Sequence, residues 1–238
     1  MRALVILAKR ELQSFFDSLV AYIMLAAFLG FSGFFTWLYG SDVFLRNQAD
    51  LQTFFGIAYW TLFFFIPALT MKMLADERKS GTIELLFTKP ISDWQIVCGK
   101  FLACLSLILI ALLCTLPYYI TVWKLGPVDH GSVLCGYLGL ILMSSAYISI
   151  GIYASSVTNN QIVAFLVSLF AGMFFHILLD MISKNFTGTA GELISYLSVS
   201  SHYDSISRGV IDSKDIIYFL SLIFMSLFLS EVSLAKQK

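Results

Sequence analysis

Long stretches without a charged side chain constrain this sequence more than any other feature. From Asp17 to Asp42 lie 24 residues without Asp, Glu, Lys or Arg, from Asp50 to Lys72 lie 21, and from Lys100 to Lys124 lie 23. A bilayer-spanning helix needs about 20 mostly apolar residues, because lipid offers the backbone no hydrogen bonds and each amide must be satisfied within the helix. Each stretch therefore reads as one span. Between Asp129 and Asp180 lie 50 residues whose only Asp, Glu, Lys, Arg or His side chains are His130 and His176. That is room for two spans, parted at the polar cluster Val157-Thr158-Asn159-Asn160. Asp215 to Glu231 encloses only 15 residues, but Asp212-Ser213 offers a helix start and Ser233-Leu234-Ala235 can extend the far end.

The expectation is an all-α polytopic membrane protein. It is a single transmembrane domain over 1–238 with spans at about 18–41, 51–71, 100–123, 132–157, 161–180 and 213–234. Composition agrees: 58% of residues are hydrophobic and 13% charged, too little polar surface to coat a soluble globule. Fifteen basic residues balance fifteen acidic ones, so the charge excess of a nucleic-acid binder is missing. Cys98, Cys104, Cys114 and Cys135 lie in or beside apolar runs and read as small core or lipid-facing residues, without disulfide or zinc spacing.

With a cytoplasmic N-terminus, the inner segments hold ten Lys and Arg and the outer segments five, which favours both termini inside. In residues 1–17, Leu4, Leu7, Ala8, Leu12, Phe15 and Phe16 recur at helical spacing while Arg2, Lys9, Arg10, Glu11 and Gln13 fall largely elsewhere. The segment reads as an amphipathic helix along the inner interface rather than a signal peptide. A cytoplasmic extension of the first span is the alternative.

Catalytic signatures are missing. Gly99-Lys100 has no glycine five residues earlier and is followed by Phe101, so it is not a phosphate-binding loop. No metal-spaced cluster or nucleophile elbow is present, so the chain is expected to be no enzyme and to bind no cofactor itself. His176 and Asp180 stand four apart near the outer end of the fifth span, on one helix face. A proton or ligand role and a simple interfacial pair are both open.

The longest cytoplasmic loop, 72–99, carries the most information. Asp76-Glu77-Arg78-Lys79 is a charged run, Ser80-Gly81 breaks the helix, and Thr82 to Phe87 form a short amphipathic turn ended by Lys89-Pro90. Thr82 can cap its first amides and Glu84 complements the positive helix end. Ser92-Asp93-Trp94-Gln95 spells a capping box that starts the helix leading into the third span. Leu85, Leu86 and Phe87 in a row suit a surface on which a soluble partner pushes, whereas a solvated loop has no need of them.

These residues carry a family resemblance. Asp76-Glu77-Arg78-Lys79-Ser80-Gly81-Thr82-Ile83-Glu84-Leu85-Leu86, with Lys89-Pro90-Ile91-Ser92 and Gly99-Lys100, resembles the signature of type-two ABC transporter permeases. More narrowly, the chain resembles the gliding-motility-associated permease subunit (GldF type) of Bacteroidetes. Glu11 to Phe16, Thr88 to Val97, Gly151 to Ser156 and Asn160 to Phe165 add to the likeness.

The resemblance implies a permease of the bacterial inner membrane with a coupling helix in the loop after the second span. Its ATPase-docking residues would be Glu77, Gly81, Thr82, Glu84, Leu85, Leu86, Phe87 and Pro90. It also implies a second permease subunit completing a membrane dimer, and two copies of a separate cytoplasmic ABC ATPase that holds the ATP and Mg. Segment 181–212, with the short apolar Leu193 to Leu197, would fold into outer re-entrant helices, leaving His176, Asp180 and His202 as candidate outer or pathway residues. Two functions remain: movement of a substrate, or transmission of ATP-driven motion to envelope partners without transport. A polar path favours the first and a dry seam the second. An intramembrane enzyme is a weak third reading, since no paired catalytic groups lie within a span.

Overall fold

The computed structural model describes residues 2–38, 49–88, 90–186 and 188–236, with Arg2, Leu85 and Phe87 described by main chain only. Arg46 and Lys238 from the charge count, Lys89 of the loop signature, residues 39–41 of the first expected span and the side chains of Leu85 and Phe87 thus lie outside the described residues. Among the described residues the chain is helical and holds no strand. Among the described residues six helices are long and apolar enough to cross a membrane: Val20–Trp37, Gln52–Lys79, Asp93–Leu125, His130–Val157, Gln161–Asn185 and Ser213–Ala235.

The elements are α1 (Arg2–Asp17), α2 (Val20–Trp37), α3 (Gln52–Thr70), α4 (Ala75–Lys79), α5 (Ile83–Phe87), α6 (Asp93–Leu113) and α7 (Leu116–Leu125). There follow α8 (His130–Val157), α9 (Gln161–Met173), a π-helical turn (Phe174–Leu178), α10 (Leu179–Asn185), α11 (Thr189–Ser195), α12 (Val199–Ser207) and α13 (Ser213–Ala235).

Local chemistry sets the boundaries. Ser92 and Gln95 form the expected capping box, with Gln95 N donating to Ser92 Oγ at 3.3 Å and Ser92 N to Gln95 Oε1 at 3.2 Å. Asp129, Asn160 and Asp212 each accept a main-chain N–H two residues on, starting α8, α9 and α13. The break between the fourth and fifth spans falls at Thr158 to Asn160, where the polar cluster stands.

The third long helix starts at Asp93, where the expected capping box pins its first turn, ahead of the charge-free stretch that follows residue 100. Lys100 consequently lies two turns inside the helix and is 1% exposed. Pro117 interrupts the ladder between α6 and α7, where Thr115 Oγ1 donates to Leu112 O at 2.6 Å.

The centre of the bundle is α8, which packs against α3, α6, α9, α12 and α13. It is rich in small residues, as membrane helices that approach closely must be. At Gly151 an added Cβ would lie 2.8 Å from Thr70 Cβ, so α3 and α8 meet there at a distance only glycine permits. By contrast α2, α9 and α13 leave Ile23, Phe31, Val167, Phe170, Ile217 and Phe224 exposed, a dressing suited to lipid.

Helix α1 packs on α6 through Leu7 and Phe15, with Glu11 between them on the same face. The sequence placed Glu11 on the polar side. Spacing of 7, 11 and 15 instead puts it inward, where it is 9% exposed because Lys100 supplies its counter-charge.

Candidate functional site

The second span ends in a turn, Met71 to Leu74, and leads into the hairpin α4–α5. Ser155, at the end of α8, holds this turn from the other side. Its hydroxyl accepts from Leu74 N at 3.0 Å and Ala75 N at 2.9 Å and donates to Met71 O at 3.1 Å. A side chain from another span thus satisfies the first amides of α4, a helix too short to be stable alone. Arg78 donates to Ser156 O, which Ser233 Oγ also reaches at 3.0 Å from α13. Gln161 Nε2, at the start of α9, donates to Asp76 Oδ1 at 2.5 Å. One five-residue helix is thereby fastened to the fourth and fifth spans, and the sixth meets the same Ser156 carbonyl.

A buried charge network fixes it to the third span and to α1. Lys100 Nζ donates to Glu77 Oε1 at 2.8 Å and lies 3.5 Å from Glu11 Oε1, which Arg10 also meets at 2.7 Å. Glu77 was expected to face an ATPase. It faces inward instead, since Lys100 needs a partner more than a solvated surface needs a carboxylate.

The turn between α4 and α5 uses Gly81 at φ 70°, a left-handed conformation that favours glycine. Thr82 does not cap α5 with its hydroxyl as expected. It bonds back to Ser80 Oγ at 2.9 Å and Glu77 O at 3.4 Å, closing the hairpin rather than starting its second arm. Leu86 is also corrected: it is 5% exposed and packs into the chain's own core with Ile83, so it is no part of an exposed ridge. A five-residue arm cannot stand off the bundle without burying one apolar side. Among the described side chains of the hairpin, Asp76, Lys79, Ser80, Thr82, Glu84 and Thr88 face solvent along with Gly81, and Pro90 is exposed beyond them.

At the opposite end of the second span a cavity of about 680 Å³ opens between α3, the fifth span and α12. Its wall carries Tyr59, Trp60, His176, Asp180, Asp204 and Arg208. Tyr59 Oη and Tyr147 Oη both meet His176 Nδ1, at 2.7 and 2.6 Å. Nδ1 has either one lone pair or one proton to offer, so the two hydroxyls share it, with donor and acceptor roles set by the ring tautomer. Tyr59 stacks on Tyr203 with ring centres 4.4 Å apart. Withdrawal from water lifts the Asp204 carboxyl above the ordinary range, with Asp180 adding to the rise and Arg208 opposing it.

His176 and Asp180 are not the i,i+4 pair expected. His176 lies inside the π-helical turn and Asp180 in the helix after it, and π-turns recur at functional sites in helices. His176 turns to the two tyrosines while Asp180 Oδ2 takes Lys184 Nζ at 2.6 Å. Of the three expected pathway residues, His176 and Asp180 share the cavity and His202 does not. His202 stands behind it, with Nδ1 2.6 Å from Asp215 Oδ1 and Nε2 3.0 Å from Tyr196 O, and clamps α12 to α13.

Residues 10–235 match the family described as ABC-2 family transporter protein. The chain belongs to that family. Being an ABC-2 chain with six apolar helices, it is a multi-pass membrane protein of the permease kind, the membrane subunit rather than the ATPase. Over 101 residues it is 30% identical to the protein of Escherichia coli K12 described as "Probable multidrug ABC transporter permease YbhR", and equally so to the protein of that description from Escherichia coli O157:H7. The aligned stretch covers 42% of this ABC-2 chain and only 27% of either relative's length.

Proposed function

We propose that this chain is a permease subunit through which a separate cytoplasmic ABC ATPase, in two copies, drives a substrate across the bacterial inner membrane. A second permease chain completes the membrane dimer, both termini face the cytoplasm, and ATP and Mg sit on the ATPase. The observation that carries this reading is that one helix, the second span, joins the α4–α5 hairpin to the 680 Å³ cavity at its other end.

ATP binding closes the two ATPase subunits, and the hairpin follows through its exposed face. Because α4 is bonded to the ends of the fourth and fifth spans, it cannot move without them. The fifth span reaches the cavity too, so motion at the hairpin re-sets the angle between Tyr59 and His176. Energy supplied at one site then biases a two-state dimer at the other. Polar and charged groups in the cavity favour passage of a substrate over force transmission through a dry seam.

Within the family, the loop from Asp76 to Ser92 supports a finer assignment to the gliding-motility-associated type, linked to envelope machinery. The relatives' printed description as multidrug permeases supports export of small molecules instead, and co-purifying partners decide between the two.

The test is reconstitution. The chain alone in liposomes is expected to hydrolyse no ATP, and adding the ATPase with the second permease is expected to give hydrolysis that depends on all three. Vanadate-sensitive hydrolysis by this chain alone overturns the reading. Single cysteines at Ser80 and Lys184, in a background lacking the four native ones, check the orientation. An impermeant maleimide added to intact cells is expected to label Lys184→Cys and spare Ser80→Cys.

A further inference from the structure

Helix α12 walls the cavity with Ser200, Tyr203, Asp204 and Ser207, and from behind it is held to α13 by His202. His202 and Asp215, in the first turn of α13, are both buried. The imidazole stands between two oxygens, with Asp215 Oδ1 2.6 Å from Nδ1 and Tyr196 O 3.0 Å from Nε2. Tyr218 stacks on the ring with centres 4.1 Å apart, but its hydroxyl donates to Leu197 O at 2.6 Å and offers the imidazole no proton. Asp215 Oδ2 is buried with no hydrogen-bond partner, so the carboxylate is tied through Oδ1 alone.

These two oxygens set a proton count. A carbonyl oxygen only accepts, so the bond to Tyr196 needs a proton on Nε2. An ionised carboxylate also only accepts, so the bond to Asp215 needs a second proton, whichever of Nδ1 and Oδ1 carries it. A neutral imidazole beside an ionised Asp215 has one N–H for two acceptors and can serve only one of them. Loss of one proton from the pair therefore breaks one tie. Either the ring keeps the charge-assisted bond to Asp215 and releases Tyr196, at the end of α11, or it keeps Tyr196 and α12 parts from α13.

The ionisable groups of the surrounding elements are engaged elsewhere. Lys214 meets Asp212 at 3.1 Å and has Asp215 within electrostatic reach. On α12 itself Asp204 lies on the cavity wall with Arg208, and Glu192 of α11 is exposed. His130, at the head of α8, meets Tyr119 at 2.7 Å, and His176 in the π-helical turn meets Tyr59 and Tyr147.

We propose that His202 and Asp215 form a proton-held clamp on the cavity wall, complete while the pair keeps its shared proton and half undone once that proton leaves as the pH rises. Tyr203 of α12 stacks on Tyr59 of the second span, so release of the clamp loosens the wall of the cavity at the end of the bundle away from the hairpin. The pair is a pH-sensitive stop on how far that wall can move.

The experiment uses the whole chain in detergent, with one pH on both faces, and needs neither ATPase nor substrate, so its outcome is independent of the transport reading above. A spin label on Ser205→Cys, in a background lacking the four native cysteines, reports the motion of α12 by electron paramagnetic resonance. From about pH 5 to about pH 9 the mobile fraction is expected to rise several-fold. In Asp215→Asn the amide donates to Nδ1 while Nε2–H keeps Tyr196, so a neutral ring makes both bonds and the label is expected to stay immobile throughout. His202→Ala removes both bonds, and its label is expected to be mobile throughout. If Asp215→Asn folds too poorly to label, loss of the pH response in His202→Ala carries the same test. A wild-type label equally immobile at both ends of the range overturns the proposal. So does a pH response in either variant equal to that of the wild type, since the titrating group then lies elsewhere, Asp204 included.

Discussion

Tyr59 on the second span and His176 on the fifth share a hydrogen bond of 2.7 Å, and the same two helices are tied again at their other ends by Gln161 and Asp76 at 2.5 Å. At about 1.5 Å rise per residue, the fifth span carries roughly 22 Å of helix between its two ties. Two helices joined at both ends move as a frame. Whatever displaces α4 must either carry the pair together or break one of the ties.

The histidine end of that frame is expected to be the more sensitive to substitution. His176→Phe keeps a ring in the aromatic cage but leaves the hydroxyls of Tyr59 and Tyr147 unpaired, at about 1–3 kcal/mol for each that stays buried. Tyr59→Phe leaves Tyr147 on Nδ1 and removes one interhelical bond, worth about 0.6 kcal/mol on average in membrane proteins. Thermal melts in detergent are expected to rank His176→Phe clearly below Tyr59→Phe, and equal midpoints would mean that the second tyrosine contributes nothing.

Lys100 is held by geometry that its sequence context conceals. Removing it strands Glu77 inside the bundle while Glu11 keeps Arg10, leaving an uncompensated buried charge that costs about 3–5 kcal/mol. Lys100→Met alone is expected to lower the yield of folded protein sharply. Lys100→Met combined with Glu77→Gln and Glu11→Gln removes all three charges and is expected to recover most of it. Size-exclusion profiles of the two variants measure this, and a triple variant no better than the single one would assign Lys100 a packing role instead.

Gly151 offers an independent check on how α3 meets α8. An added methyl would lie 2.8 Å from Thr70 Cβ and 3.2 Å from Ser168 Oγ, and a β-branched threonine cannot swing away. Gly151→Ala is expected to destabilise by about 1–3 kcal/mol, as overpacking does. Thr70→Ala in the same chain is expected to restore part of that loss, giving a coupling energy of opposite sign in a double-mutant cycle.

What could be read from residue order alone was what depends on order alone. Charge-free length announces a span wherever it lies, and the caps at Ser92, Asp129, Asn160 and Asp212 act on neighbours two or three residues away. Glu77, Lys100 and Glu11 were misread for the opposite reason. A charge looks like a span boundary until its partner is known, and here the partners are 23 residues away, for Glu77 and Lys100, or on another helix. Tyr59 and Tyr147 sit silently in apolar runs, and the π-helical turn that aims His176 at them leaves no mark on the spacing. The cavity was half legible: His176 and Asp180 stood out as ionisable groups inside a span, while in the outer segment His202 was singled out rather than Asp204, which lines the cavity.

The last prediction separates docking from scaffolding in the hairpin. Leu86 is buried within the chain and Glu84 is exposed on the arm, so the two should fail differently when replaced. Leu86→Ala empties a core position, which costs about 2–5 kcal/mol, and is expected to lower permease yield and melting temperature whether or not an ATPase is present. Glu84→Lys leaves the core untouched and puts a positive charge at the positive end of α5 and on its exposed face. Permease yield is expected to hold while the ATPase recovered with it falls at least several-fold. Co-purification of the ATPase with each variant, normalised to permease, measures both. If Glu84→Lys retains the ATPase at full stoichiometry, this face does not dock it. Loss of ATPase from Leu86→Ala alone would then place the contact in the shape of the hairpin rather than in its exposed charge.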